Sequence, residues 1–270
     1  MNRILILMAV ATAAGLALAD SPVIEGNGVG LVEVTVPTTG SKILSVPFEK
    51  PLGTPGQAGV LSELIATNDL KGAAANAADA DQIVVLTQTN VSEVLTDVYF
   101  YYWYQTNVGW TPHQTKVLGG DVQATITPPD ADEFALARGK GFWLVRPTGA
   151  SGTKLYVTGQ IPESSVAVDL IGNNTFTLIG FGALDDRDIN DDEVTWTGRY
   201  DGGALGQDQL RIVSDAGVMS TYTFWGAPDN LWLTPAGTTN LVTIKPGEGF
   251  WYLRRDASAT TFTPVVIPPQ

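Results

Sequence analysis

Cysteine is absent from the 270-residue chain, histidine occurs once, and Lys plus Arg number 15 against 28 Asp plus Glu. Without cysteine there is no disulfide framework, no thiol nucleophile and no thiolate metal site. Without disulfides the chain must be held by its apolar core, and it is long enough for one or two. The single histidine, His113, stands beside Pro112 near an expected turn. No His-based metal centre can be assembled from it, and no G-x-S-x-G elbow accompanies it. The formal charge of −13 argues against nucleic acid or anionic lipid as partners, because both need Lys/Arg patches. No apolar run after residue 18 is long enough to span a bilayer.

The first residues have their own pattern. Met1-Asn2-Arg3 is a short basic start, Ile4 to Leu18 is apolar and small, and Ala17-Leu18-Ala19 fits a small-x-small cleavage site. Residues 1–19 therefore read as a secretory signal peptide, with Asp20 as the new first residue and residues 20–27 as an extension. The mature chain would keep the acidic balance and carry no membrane span.

Nearly every later segment reads as strand. Val32, Val34 and Val36 alternate with polar or turn residues, Ile83-Val84-Val85-Leu86 is a short apolar run, and Tyr99 to Tyr104 is aromatic throughout. Such runs, broken by 29 glycines and 16 prolines, are the signature of antiparallel strands and turns. Only Val60 to Ala77 leaves helix and strand both open.

The chain also repeats itself. Gly139-Lys140-Gly141-Phe142-Trp143 returns as Gly247-Glu248-Gly249-Phe250-Trp251. Trp103 and Trp110 precede the first copy at the spacing with which Trp225 and Trp232 precede the second, and Ile161-Pro162 and Ile267-Pro268 follow. Upstream, Val32, Val34, Val36 and Leu44 match Val166, Val168, Leu170 and Leu178 at one offset, and Asp81-Gln82 matches Asp208-Gln209. The offset shrinks steadily, so element order is kept while loops differ. The expected architecture is all-β, with two tandem homologous antiparallel β-sandwich or small-barrel modules over residues 28–163 and 164–270.

Three features carry candidate chemistry. The glycine-aromatic repeat reads as a turn feeding a core strand, with its Trp packed inside and Arg146 or Arg254 at the wet end. It is no nucleotide fingerprint, since no third glycine opens a helix. The aromatic positions Tyr99, Tyr101, Trp103, Trp110, Trp225 and Trp232 are the candidate ligand-binding residues, because exposed rings on a sheet stack against sugars. Asp186, Asp188, Asn190 and Asp192 stand at alternate positions like the first half of a Ca²⁺ loop. Asp191 replaces the glycine of that loop and Thr197 its closing glutamate, so Ca²⁺ is a candidate only for a simpler turn site, beside the plainer reading of a solvated acidic loop.

The stretch Ile43-Leu44-Ser45-Val46-Pro47-Phe48, a Tyr/Trp strand and Gly-Lys-Gly-Phe-Trp resembles modules in families of secreted bacterial proteins. Those modules begin with an "NLISVP"-like strand and end with a "PGxGFW"-like one. The resemblance implies an exported, repeat-built protein of the periplasm, cell surface or extracellular space. The expected function is a non-enzymatic structural or adhesive protein, such as a filament or surface-layer subunit, whose partners are copies of itself or other envelope proteins. The alternative is a carbohydrate-binding protein that holds glycan on exposed Tyr and Trp rings. The segments Asp20 to Gly30 and Thr263 to Gln270 are expected to be free to add a strand to a neighbour.

Overall fold

A computed structural model describes residues 29–51, 57–66, 70–73, 77–87, 96–104, 107–118, 135–150, 152–190, 194–196, 201, 206–226, 228–239 and 242–264; the side chains from 86 to 118 lie outside that description. Residues 1–28, and with them the expected signal peptide, lie outside it as well.

The first ten strands are β1 Val29–Thr35, β2 Gly40–Ser45, β3 Gly59–Val60, β4 Ile65–Ala66, β5 Gln82–Thr87, β6 Thr96–Tyr104, β7 Asn107–Leu118, β8 Ala135–Leu136, β9 Gly141–Arg146 and β10 Lys154–Gln160. The next ten are β11 Val168–Leu170, β12 Thr175–Gly180, β13 Arg187–Asp188, β14 Val194–Trp196, β15 Gln209–Val213, β16 Met219–Trp225, β17 Leu231–Leu233, β18 Thr243–Ile244, β19 Gly249–Arg254 and β20 Thr260–Pro264. One helical turn, Leu61–Leu64, sits between β3 and β4. The stretch left open between helix and strand thus contains both, each too short to form a layer. No described helix is long and apolar enough to cross a membrane.

The fold is all-β, and every strand pairing in its sheets is antiparallel. The first ten strands form sheets ordered β1-β10-β4, β2-β9-β5-β6-β7 and β3-β8. The second ten form β11-β20-β14, β12-β19-β15-β16-β17 and β13-β18. Adding ten to each strand number converts one set into the other, so the repeat in the sequence is a repeat in topology. Each sheet keeps two edge strands, and none of the six closes into a barrel among the described residues.

Each half has its own core. In the first, Val32, Val34, Leu155 and Val157 of the three-stranded sheet meet Leu44, Ile83, Phe142 and Leu144 of the five-stranded sheet. In the second, Leu170 and Phe262 meet Ile179, Leu210, Phe250 and Tyr252, and Phe224 and Trp232 extend the cluster. The alternation that puts these side chains on one face is the period of two that the sequence displays.

Strand register corrects the sequence alignment at two places. Leu44 lies opposite Phe142, and the residue opposite Phe250 is Ile179 rather than Leu178. Leu178 therefore corresponds to Ile43. Likewise Trp103 lies opposite Trp110, but Trp232 lies opposite Phe224 and Trp225 opposite Leu231. Equal spacing in sequence hides a one-residue step, and one residue in a strand exchanges its two faces.

The expected free ends are also shortened. Val29 and Gly30 pair with Gln160 and Gly159 in β1, and Thr263 and Pro264 pair with β14. His113 lies within β7 rather than near a turn.

Candidate functional site

The two halves meet along a seam built by the glycine-aromatic repeat. Ser45 N–H donates to the Gly247 carbonyl at 2.8 Å, and Gly180 N–H donates to the Gly139 carbonyl at 2.9 Å. Ser45 and Gly180 are equivalent in the repeat, as are Gly139 and Gly247. Leu44 bridges Glu248, and Ile179 bridges Lys140, in the same exchanged fashion. A contact in which i meets j′ while j meets i′ is the mark of a two-fold interface.

Side chains repeat the pattern. Gly139 and Gly247 both hold positive φ, 79° and 80°. A Cβ on Gly139 would lie 2.5 Å from Val168 Cγ2, and one on Gly247 would lie 2.5 Å from Val34 Cγ2. Glycine is required twice over at these turns, for the backbone conformation and for the close approach. Between them Ile43, Leu178 and Val213 form a third apolar cluster with Trp143 and Trp251 packed against it. Phe142 and Phe250 enter the cores of their own halves; the adjacent tryptophans point the other way, into the seam. These tryptophans are packed against buried residues, but in the seam and not in the core of their own half.

The arginines that close β9 and β19 are buried, not wet. Arg146 Nε and Nη2 donate to the two carboxylate oxygens of Asp81, each at 3.0 Å. Arg254 Nη1 donates to Asp208 Oδ2 at 2.7 Å, where the Tyr252 hydroxyl also donates at 2.7 Å. Burial, reinforced by the Asp208 carboxylate, pushes the Tyr252 hydroxyl far above the usual phenol range. Asp81 and Asp208, matched in sequence, are thus the two anchors of a duplicated buried ion pair.

Charge breaks the symmetry of the seam. Lys42 on β2 is fully buried, and its Nζ donates to the Thr35 carbonyl at 2.7 Å, to Glu248 Oε1 at 2.7 Å and to Asp215 Oδ1. Both carboxylates come from the second half. Glu248 is held from behind, its Oε2 accepting the Lys245 N–H at 3.0 Å. Lys245 Nζ donates to Asp215 Oδ2 at 2.9 Å. Burial alone would raise the Asp215 carboxyl, but hydrogen bonds from Lys42 and Lys245 outweigh it and hold the group below the usual carboxylate range. The Asp215 bond raises the Lys245 ammonium. In the second half Thr177 stands where Lys42 stands in the first. A hollow of about 250 Å³ adjoins the cluster, lined by Val213, Asp215, Ser220, Tyr222, Thr243 and Lys245 among others.

Of the aromatic candidates, Trp232 offers no free face. It is buried against Phe224 at 5.4 Å and Tyr252 at 5.8 Å between ring centroids. Trp225 lies on the opposite face of β16 and is 46% exposed, with Met219 on the same strand at 47% and Val218 beside it at 61%. Tyr99 and Tyr101 stand opposite Val85 and Ile83 in the register, and Trp103 opposite Trp110. The side chains of these four aromatics lie outside the described residues.

The acidic turn is tied up in part, with Asp188 Oδ2 buried and without a hydrogen-bond partner. Asp188 Oδ1 accepts the Asn190 N–H at 2.7 Å, and Asn190 clamps the Trp232 backbone, its Oδ1 accepting the Trp232 backbone N–H at 2.7 Å and its Nδ2 donating to the Trp232 carbonyl at 3.2 Å. Asp185 binds Arg187. Asp186 faces the Lys245 ammonium closely enough to help raise it. Asp192 lies outside the described residues, and among those described no group of three acidic or histidine side chains is placed to hold a metal ion. Sequence reasoning had no signal for Lys42, Asp215 or Glu248 as a cluster, because they come together from three distant segments.

Comparison with protein-family models, curated proteins and solved structures found no match to the chain.

Proposed function

We propose that the protein is an exported structural or adhesive subunit of the cell envelope or extracellular matrix, without enzymatic activity of its own, built from two copies of one β-sandwich module. One observation carries this reading: the outer face of β16 presents Trp225 and Met219 to solvent beside Val218. The elements that repeat are spent inside the molecule, on two buried Asp–Arg pairs and a reciprocal seam. Among the described residues, Trp225 and Met219, with Thr221 and Thr223 between them on that face, are open to a partner together with the sheet edges. The address rests on the leader-like residues 1–19 and on the resemblance to secreted bacterial modules.

The mature chain is expected to self-associate in sedimentation experiments and to form ordered assemblies under negative stain. Replacing Trp225 and Met219 together by Ser should abolish association and leave the circular dichroism spectrum unchanged. Association unaffected by that change, or a chain monomeric at every concentration, overturns the reading.

A second reading draws on the same ring. Trp225 is an exposed indole on a sheet face, the geometry on which a pyranose stacks. It predicts hits on a glycan array that vanish with Trp225→Ala; an array without hits removes it.

A further inference from the structure

We propose that Lys42 and Asp215 become joined by an amide bond that the folded protein makes itself, tying the first half of the chain to the second. The placement of four side chains supports this. Lys42 is an aliphatic amine with no exposure, and its nitrogen donates to Asp215 Oδ1. Glu248 Oε1 is 2.7 Å from the same nitrogen and is oriented by the Lys245 backbone. Lys245 Nζ sits 2.9 Å from the other Asp215 oxygen. These are a nucleophile, a proton acceptor, an electrophilic carbon and a cation placed where negative charge would develop.

The step balances without a further reagent. One proton of the Lys42 ammonium passes to Asp215 Oδ1, so that a neutral amine faces a carboxylic acid, and the amine attacks Cγ. Negative charge gathers on Oδ2 against the Lys245 ammonium. Glu248 takes a second proton from Nζ and delivers it to Oδ1, which leaves as water. One N–C bond forms, one C–O bond breaks, and the third Nζ proton remains on the amide. Condensation in water is unfavourable for free partners, but held partners react with effective concentrations of ~10⁵–10⁸ M. Asp215 is partly exposed, which gives the departing water a way out. The product also relieves an electrostatic cost: a buried ammonium is replaced by a neutral amide, and Lys245 with Glu248 still balances.

Such a bond would do for a chain without cysteine what a disulfide does for others. It closes a loop between positions 42 and 215, and long loops constrain the unfolded chain most.

Intact mass of the denatured mature protein decides the matter. The expected mass is one water below that of the sequence, with a proteolytic branched peptide carrying both Lys42 and Asp215. Lys42→Arg, Asp215→Ala and Glu248→Gln should each restore the full sequence mass. A wild-type protein at full mass overturns the proposal whether or not the variants fold. A branched peptide joining Lys245 to Asp215 or Lys42 to Glu248 overturns the pairing, and a folded Glu248→Gln protein that still loses water overturns the role of Glu248.

Discussion

Trp143 and Trp251, the same residue of the repeated motif, meet each other across the seam with ring centroids 6.4 Å apart and planes tilted by 52°. Their strand partners Ile43 and Leu178 complete the contact. Replacing either Trp by Ala should destabilise the protein by about 2–4 kcal/mol, since the rings are half-buried rather than fully enclosed. A double-mutant cycle read by denaturant unfolding should give a coupling of about 1 kcal/mol. Strict additivity would show that the rings do not sense each other.

Gly139→Ala and Gly247→Ala should behave as a matched pair. Each puts a Cβ on a backbone of positive φ and drives it against a valine of the other half. A cost of about 1–3 kcal/mol is expected for each, similar for the two within experimental error. Hydrogen exchange should report faster exchange at the Gly180 and Ser45 amides, respectively, because those protons bond the carbonyls of the altered turns. Unequal responses would mean that the seam is not reciprocal in energy.

Arg146→Met and Arg254→Met each strand a buried aspartate. The expected loss is about 3–5 kcal/mol apiece, measured by urea unfolding. Arg254→Met should be the milder, because Asp208 keeps the Tyr252 hydroxyl and the Arg255 amide at 2.7 Å, while Asp81 keeps the Lys71 amide at 2.7 Å.

Tyr252 provides a pH test. Its folded pKa is raised, chiefly by burial, so its neutral form is favoured in the native state. The sign follows: stability from this group is intact below the ordinary phenol value near pH ~10 and is lost as pH climbs above it. Ultraviolet titration should show a tyrosine component that ionises only as the protein unfolds in alkali, and Tyr252→Phe should remove that component.

Much of the fold was legible in the sequence, and for one reason: alternation and turn residues are local signals. The strands around Val32, Ile83 and Phe250 follow from them, and so does the equivalence of Asp81 with Asp208. Register was not legible, because Leu178 and Ile179 are equally apolar and only the partner strand decides which faces the core. Nor was the burial of Arg146 and Arg254, since a charged residue at a strand end looks wet until its aspartate is found. The seam shares this difficulty. Gly-x-Gly-Phe-Trp announces a turn and a buried aromatic, but not that Phe and Trp serve different cores. Lys42 and its carboxylates are far apart in sequence and carry no local pattern at all.

The pairing of β1 with β10, and of β11 with β20, has a consequence for how such a protein can arise and be rebuilt. Val29 lies opposite Gln160, so the chain leaves the first unit one strand spacing, about 5 Å, from where it entered. A unit with adjacent entry and exit can be strung to a copy of itself by a few residues, or reopened elsewhere and closed through its old ends, without disturbing a single internal pairing. Here the stretch from Ile161 to Ala167 is all that separates β10 of the first set of strands from β11 of the second.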